Sequence, residues 1–320
     1  MAKGKKVTVI GTGNFGSTVA FILAMNGSCH HVVLRGRNVD IAKGKALDMS
    51  QAANAARQHT IVTVALCAED IAGSDIVVIT AGAPRTPGMN RDDLLMKNAD
   101  IVRGYAKEIK EQAPEAIVVV VSNPLDVMTY VVLKETGFPR ERVLGMAGIL
   151  DAARMAHFIY EKLGYGAGQI RATVMGGHGD TMVPLPKFTT VAGVPIDDLL
   201  DSEEIGEIVQ KTRNGGAQIV NLLGDGSAYY APAKSTAVMV DAIIKDTKQI
   251  HSCSVFLEGE YGYSGITTGV PVMIGAGGAE KIIEMTLKTL QRERFKNSVG
   301  SVKEMVDILE DKNYFDDEVK

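Results

Sequence analysis

Cysteine is scarce in this chain: Cys29, Cys67 and Cys253 are its three, far apart and never in a Cys-x-x-Cys pair. That pattern excludes a disulfide framework and a thiolate zinc site, and it points to a reduced, cytoplasmic protein. Charge of one sign is also missing. A net charge of −4 with no long basic or acidic run gives no footprint for a nucleic-acid backbone. No uninterrupted apolar stretch is long enough to span a bilayer. The basic "KGKK" at residues 3–6 is not followed by the apolar segment of a signal peptide. Repeats and low-complexity linkers are absent as well, and the six histidines show no metal-ligand spacing, so no metal site is expected.

What the chain does have is 320 residues of 46% hydrophobic content, enough for one large α/β domain or two smaller ones. Val7–Ile10, Val32–Leu34, Ile61–Val64, Ile76–Thr80 and Ile117–Val121 are unbroken apolar runs, as strands covered on both faces require. Between them lie amphipathic segments. In Asp93–Gln112 the residues Leu95, Ile101, Val102, Tyr105 and Ile109 recur mostly three or four apart, and Pro114 ends the pattern. Such alternation predicts a right-handed, doubly wound parallel sheet. After residue 146 the rhythm changes. A helix begins near Asp151, "VMGGHGDTMVPL" reads as a glycine-rich loop entering extended chain, and residues 203–222 and 228–246 read as long helices. Val255–Leu257 and Val270–Ile274 read as strands, and Val302, Met305, Val306 and Leu309 stripe a closing helix. The expected organisation is therefore a Rossmann lobe over residues 1–146 followed by an α+β lobe over 147–320.

"VTVIGTGNFGSTVAFILA" joins a strand, a Gly-x-Gly-x-x-Gly turn and an apolar helix. Gly11 permits the tight turn, Gly13 lets a pyrophosphate approach, and Gly16 lets helix and strand pack closely. The helix N-terminus then offers free N–H groups to the phosphates. "SNPLDVMTY" brings Asn123 out at the carboxyl edge of the sheet, although on this stretch alone an Asn-Pro turn former is the favoured reading. "AGAPRTPGMNRDDLL" carries Arg85 and Arg91 on a proline- and glycine-punctuated loop, either a solvated loop or an active-site lid. "GILDAARM" sets Asp151 and Arg154 three apart on one helix face, and "GGHGD" holds His178 among glycines.

Taken in order and spacing, "GTGNFG", "TAGAPRTPGMNRDDLL", "SNPLD", "GILDAARM", "GGHGDTMVPL", "GSAYYAPA" and "GVPVMIGAGG" resemble the malate dehydrogenases of the lactate-dehydrogenase-like type, over nearly the whole chain. The resemblance implies an NAD(P)-dependent 2-hydroxy acid dehydrogenase that self-associates as a dimer or tetramer and serves the tricarboxylic acid cycle. It gives His178 the role of proton donor and acceptor at the substrate C2 oxygen, with Asp151 paired to the imidazole. Arg154 then holds the C1 carboxylate, Arg91 polarises the C2 carbonyl, Asn123 bonds near nicotinamide and substrate, and Ser227 and Ala228 line the pocket. The dinucleotide is expected against Gly11, Gly13, Asn14, Phe15 and Gly16, along Arg35, Gly36, Arg37 and Asn38, and by Thr80, Ala81, Gly82, Asn98, Val121 and Asn123.

Two expectations concern specificity. In lactate-specific relatives the lid position matching Arg85 is usually glutamine. An arginine there would be enclosed without a partner when pyruvate is bound, and a dicarboxylate supplies that partner. Malate and oxaloacetate are thus expected as substrates, with lactate or another 2-hydroxy acid as the alternative and a non-catalytic nucleotide-binding protein as a remote one. The cofactor expectation turns on Gly36. An acid about 20 residues beyond the glycine turn bonds the adenosine ribose in NAD-binding chains. Here a glycine stands there, leaving room, flanked by Arg35, Arg37 and Asn38 as donors to a 2′-phosphate, and Asp40 comes too late to replace the acid. Use of both NAD and NADP is expected.

Overall fold

The computed structural model describes residues 4–83, 91–224 and 226–315. β1 (Lys6–Ile10), α1 (Asn14–Asn26), β2 (His31–Arg35), α2 (Val39–Ala55), β3 (Ile61–Val64), β4 (Ile76–Ile79), α3 (Arg91–Gln112), β5 (Ile117–Val120), α4 (Leu125–Thr136) and β6 (Val143–Gly145) build the first lobe. Its six strands are mutually parallel in the order β3-β2-β1-β4-β5-β6. This is the doubly wound arrangement whose switch point lies between β1 and β4, where ligands settle beyond the carboxyl ends of the strands. Every residue of β4 and β5 is buried, as the unbroken β-branched runs require. On α3 the buried stripe is Leu95, Asn98, Ala99, Val102, Ala106 and Ile109, with Ile101 and Tyr105 half-buried on its flank.

The second lobe runs through α5 (Gly148–Leu163), β7 (Ile170–Arg171), β8 (Val174–Met175), β9 (Val183–Pro184), β10 (Thr190–Val191), β11 (Val194–Pro195), α6 (Ser202–Leu223), α7 (Tyr230–Ile244), β12 (Gln249–Glu258), β13 (Ser264–Gly275), β14 (Gly278–Ile282) and α8 (Thr289–Asp311). β7, β10 and β11 form one small sheet, and β8 pairs with β9. The long hairpin β12–β13, extended by β14, adds antiparallel to β6 through the Ser254–Gly145 pair. One nine-stranded sheet therefore runs through both lobes. β6 and β14 are strands that the sequence pattern does not announce. The first has three residues and the second reads Gly-Ala-Glu-Lys-Ile, too short or too polar for periodicity to register.

Candidate active site

The glycine turn sits where β1 ends. Gly11 has φ +108°, and a Cβ there would lie 2.4 Å from Thr80 Oγ1, while a Cβ on Gly16 would lie 1.9 Å from the Gly11 carbonyl oxygen. Only hydrogen fits at both places, so helix α1 can press against the strand end. Gly13, the N-cap of α1, faces open space, and no side chain caps the helix. The first turn of α1 carries no acid, so its N–H groups and positive dipole end are free for an anion. This cradle fits a pyrophosphate. Thr80 donates its hydroxyl to the Ile10 and Gly11 carbonyls at 3.0 and 3.3 Å, which fastens the turn to β4. Lys45 donates to the Thr12 carbonyl at 2.8 Å and to Ser17 Oγ at 2.9 Å from the other side.

The residues after β2 are arranged differently from the sequence expectation. The space that Gly36 leaves is filled: a Cβ there would stand 2.4 Å from Thr12 Oγ1 and 2.7 Å from Thr12 Cγ2. Arg35 is already engaged, its Nε and Nη2 donating to the two carboxylate oxygens of Glu108 on α3 at 3.3 and 3.2 Å. Asn38 caps α2, its side-chain oxygen accepting from the Ile41 N–H at 3.0 Å. Arg37 is exposed and makes no ion pair or hydrogen bond among the described residues. Of the three donors expected for a 2′-phosphate, Arg37 alone has an uncommitted charge.

Asn98, expected beside the dinucleotide, is held by the backbone of two loops. It is buried, its Oδ1 accepts from the Ala83 N–H at 2.7 Å, and its Nδ2 donates to the Asn123 carbonyl at 2.8 Å. Through these bonds it ties the loop after β4 to the loop after β5. Ala81 is tied in the same way, its carbonyl accepting from Ser122 Oγ at 2.5 Å.

Beside the carboxyl end of β5 lies a cavity of about 250 Å³. Phe15, Val121, Asn123, Arg154, His178, Arg213, Ser227 and Ala228 are among the residues on its wall. His178 and Asp151, 27 residues apart in the chain, meet there with Nδ1 and Oδ2 separated by 2.9 Å. Asp151 is 1% exposed, and its other oxygen accepts from Arg154 Nη1 at 3.2 Å. One carboxylate thus orients both an imidazole and a guanidinium. Arg85 lies outside the described residues, as does the side chain of Arg91, so nothing is said of their placement.

A second acid, Asp126, escaped the sequence reading although it stands in the quoted "SNPLD". Fully buried, it accepts from the His178 N–H at 2.7 Å and from Ser254 Oγ at 2.7 Å. Its sequence signal was weak, because an acid in the first turn of a helix ordinarily complements the dipole. Burial pushes the Asp126 carboxyl above the usual range, opposed by those two hydrogen bonds. For His178, burial alone would lower the pKa, but the charge and hydrogen bond of Asp151, with help from Asp126, outweigh it and hold the imidazole above its ordinary value of 6.5.

That direction sets a pH dependence. With the folded pKa raised, the imidazolium persists above pH 6.5 and is lost as pH climbs through the raised value. A reduction that draws its proton from this imidazolium should fall along that alkaline limb, and the reverse oxidation should rise along it. Asp151→Asn removes the main opposing charge, so the limb for kcat/KM in reduction is expected to move to lower pH. Profiles of both proteins check this, and an unmoved limb would separate Asp151 from the titration of His178.

Comparison with known proteins follows this geometry. The lactate/malate dehydrogenase NAD binding domain matches residues 5–145, and the lactate/malate dehydrogenase alpha/beta C-terminal domain matches residues 149–312. Malate dehydrogenase of Sulfurimonas denitrificans is 62% identical over 316 residues, covering 99% of each chain. The solved malate dehydrogenase of Salinibacter ruber superposes with a TM-score of 0.92 at 44% identity, covering 96% of this chain and 99% of that one. A lactate dehydrogenase of Cryptosporidium parvum, solved with lactic acid and nicotinamide adenine dinucleotide, gives 0.93 at 37% identity, covering 97% and 99%. With both domains matched in order and a nicotinamide-dinucleotide cradle in the first, the chain belongs to the lactate/malate dehydrogenase family.

Proposed function

We propose that this protein interconverts malate and oxaloacetate with a nicotinamide dinucleotide, and the observation that carries the reading is the Asp151 carboxylate shared between His178 and Arg154. Arg154 grips the C1 carboxylate and so fixes which face of C2 is presented. The bound nicotinamide supplies or accepts the hydride at C2. Negative charge then gathers on the C2 oxygen, and His178 delivers the proton there from Nε2 while Asp151 steadies the cation. In the oxidative direction His178 takes that proton back. Asn123 holds the substrate oxygen side of the pocket, and Arg91, by family resemblance, polarises the carbonyl.

The fold itself serves lactate as well as malate, since both kinds of solved relative superpose on this chain. Arg85 favours the dicarboxylate, for the charge-balance reason given by its lid position. Consumption of reduced cofactor with oxaloacetate and with pyruvate tests the reading: a strong preference for oxaloacetate is expected, and a preference for pyruvate would replace it. We assign the dinucleotide-binding part to residues 1–146 and the substrate part to 147–320, and we place the protein in the cytoplasm as a homo-oligomer. Among the described residues no helix is long and apolar enough to cross a membrane, and no three metal-binding side chains cluster.

For the cofactor, the family favours NAD, while the missing acid at Gly36 and the uncommitted Arg37 favour acceptance of NADP too. Gly36→Asp alone would collide with Thr12, so the informative variant is Gly36→Asp combined with Thr12→Ala. We expect the native enzyme to use both NADH and NADPH, and the double variant to shift kcat/KM toward NADH relative to Thr12→Ala. Native rejection of NADPH, or no shift, would show that this turn does not read the 2′ position.

A further inference from the structure

Arg213 belongs to none of the motifs above, yet it lines the same cavity as His178 and Arg154. It sits on α6, where Arg213, Gly216, Ala217 and Val220 make one cavity-facing stripe, while Ile208, Thr212 and Gly215 turn inward. The guanidinium of Arg154 lies against Gly216, within 3.4 to 3.6 Å of where a Cβ would stand. Arg213 is therefore just under one turn, roughly 4.5 Å of helix rise, from the place where Arg154 rests. Its Nε is buried without a hydrogen-bond partner, and among the described residues no acid pairs with it. Burial, and then the neighbouring Arg294, lower its pKa. A half-buried cation that no described acid pairs with, and with a second cation close by, is costly, and an anion entering the cavity removes the cost.

We propose that Arg213 is a specificity-determining residue for the dicarboxylate, drawing its second carboxylate to the α6 side of the cavity while Arg154 holds the first. This rests on the malate and oxaloacetate reading and adds to the lid arginine a contact on the fixed wall of the pocket. Because the attraction acts on the charge of the bound molecule and not on the reacting oxygen, it should govern KM more than kcat.

Steady-state kinetics of Arg213→Gln and Arg213→Lys at saturating NADH and low ionic strength test it. For Arg213→Gln the KM for oxaloacetate should rise roughly tenfold or more, with kcat within about twofold. The constants for pyruvate, which has one carboxylate, should change far less. Arg213→Lys should recover part of the loss, since it keeps the charge and loses the fork. The native salt dependence of kcat/KM for oxaloacetate should flatten in the glutamine variant. An unchanged oxaloacetate KM, or an equal loss with both substrates, overturns the proposal and makes Arg213 a structural residue. A native enzyme inactive on oxaloacetate would instead overturn the underlying reading.

Discussion

Replacing His178 with asparagine is expected to leave a folded, cofactor-binding protein whose turnover falls roughly a hundred- to ten-thousand-fold. The fold should survive because what anchors this loop is backbone. The His178 N–H is held by Asp126, and the preceding Gly177 N–H donates to Ser298 Oγ at 2.8 Å. Neither bond depends on the imidazole. Asparagine can still donate toward Asp151, so the buried carboxylate keeps a partner. What asparagine lacks is a proton that can leave at cellular pH, so the C2 oxygen would have to take its proton from water. Turnover with oxaloacetate and cofactor affinity by fluorescence titration check the two halves of this expectation. Near-native turnover would remove His178 from the chemistry.

Arg85→Gln should change which substrate is used. The kcat/KM for oxaloacetate is expected to fall by roughly two to three orders of magnitude, the scale of removing one partner from a desolvated charge pair. Pyruvate should gain, because the closed pocket would no longer enclose an unpaired guanidinium. The ratio of the two specificity constants is the decisive readout, and an unchanged ratio would defeat the assignment of Arg85. Combined with Arg213→Gln, the variant also reports on coupling. If both arginines serve the same carboxylate, their effects on oxaloacetate should not add.

Much of the first lobe was legible because its signals are local. The β-branched runs of β1 to β5 coincide with the observed strands to within a residue at each end, and in the central β4 and β5 burial on both faces leaves little choice of residue. The glycines of "GTGNFG" were readable for the same reason: Gly11 and Gly16 answer to atoms of the adjoining turn and strand end. The motifs carrying Asp151, Arg154 and His178 were readable as a set by resemblance.

Contacts between distant segments were decided by tertiary structure alone. Arg35 and Glu108 are 73 residues apart, His178 and Asp126 are 52 apart, and no spacing in the chain announces either pair. The cofactor expectation shows the consequence most clearly. From residues 35–38 a run of free donors was inferred, but α3 brings Glu108 to Arg35 and the glycine turn brings Thr12 over Gly36. Arg213 is the converse case. In sequence it is one charge on an amphipathic helix, and the packing of α6 beside α5 is what sets it on the wall of the cavity that Arg154 also lines. Strand and turn identity follow from each residue's neighbours in the chain; the partner of a charge follows from which surfaces are folded together, because a guanidinium reaches across elements and pairs with whatever acid the packing delivers.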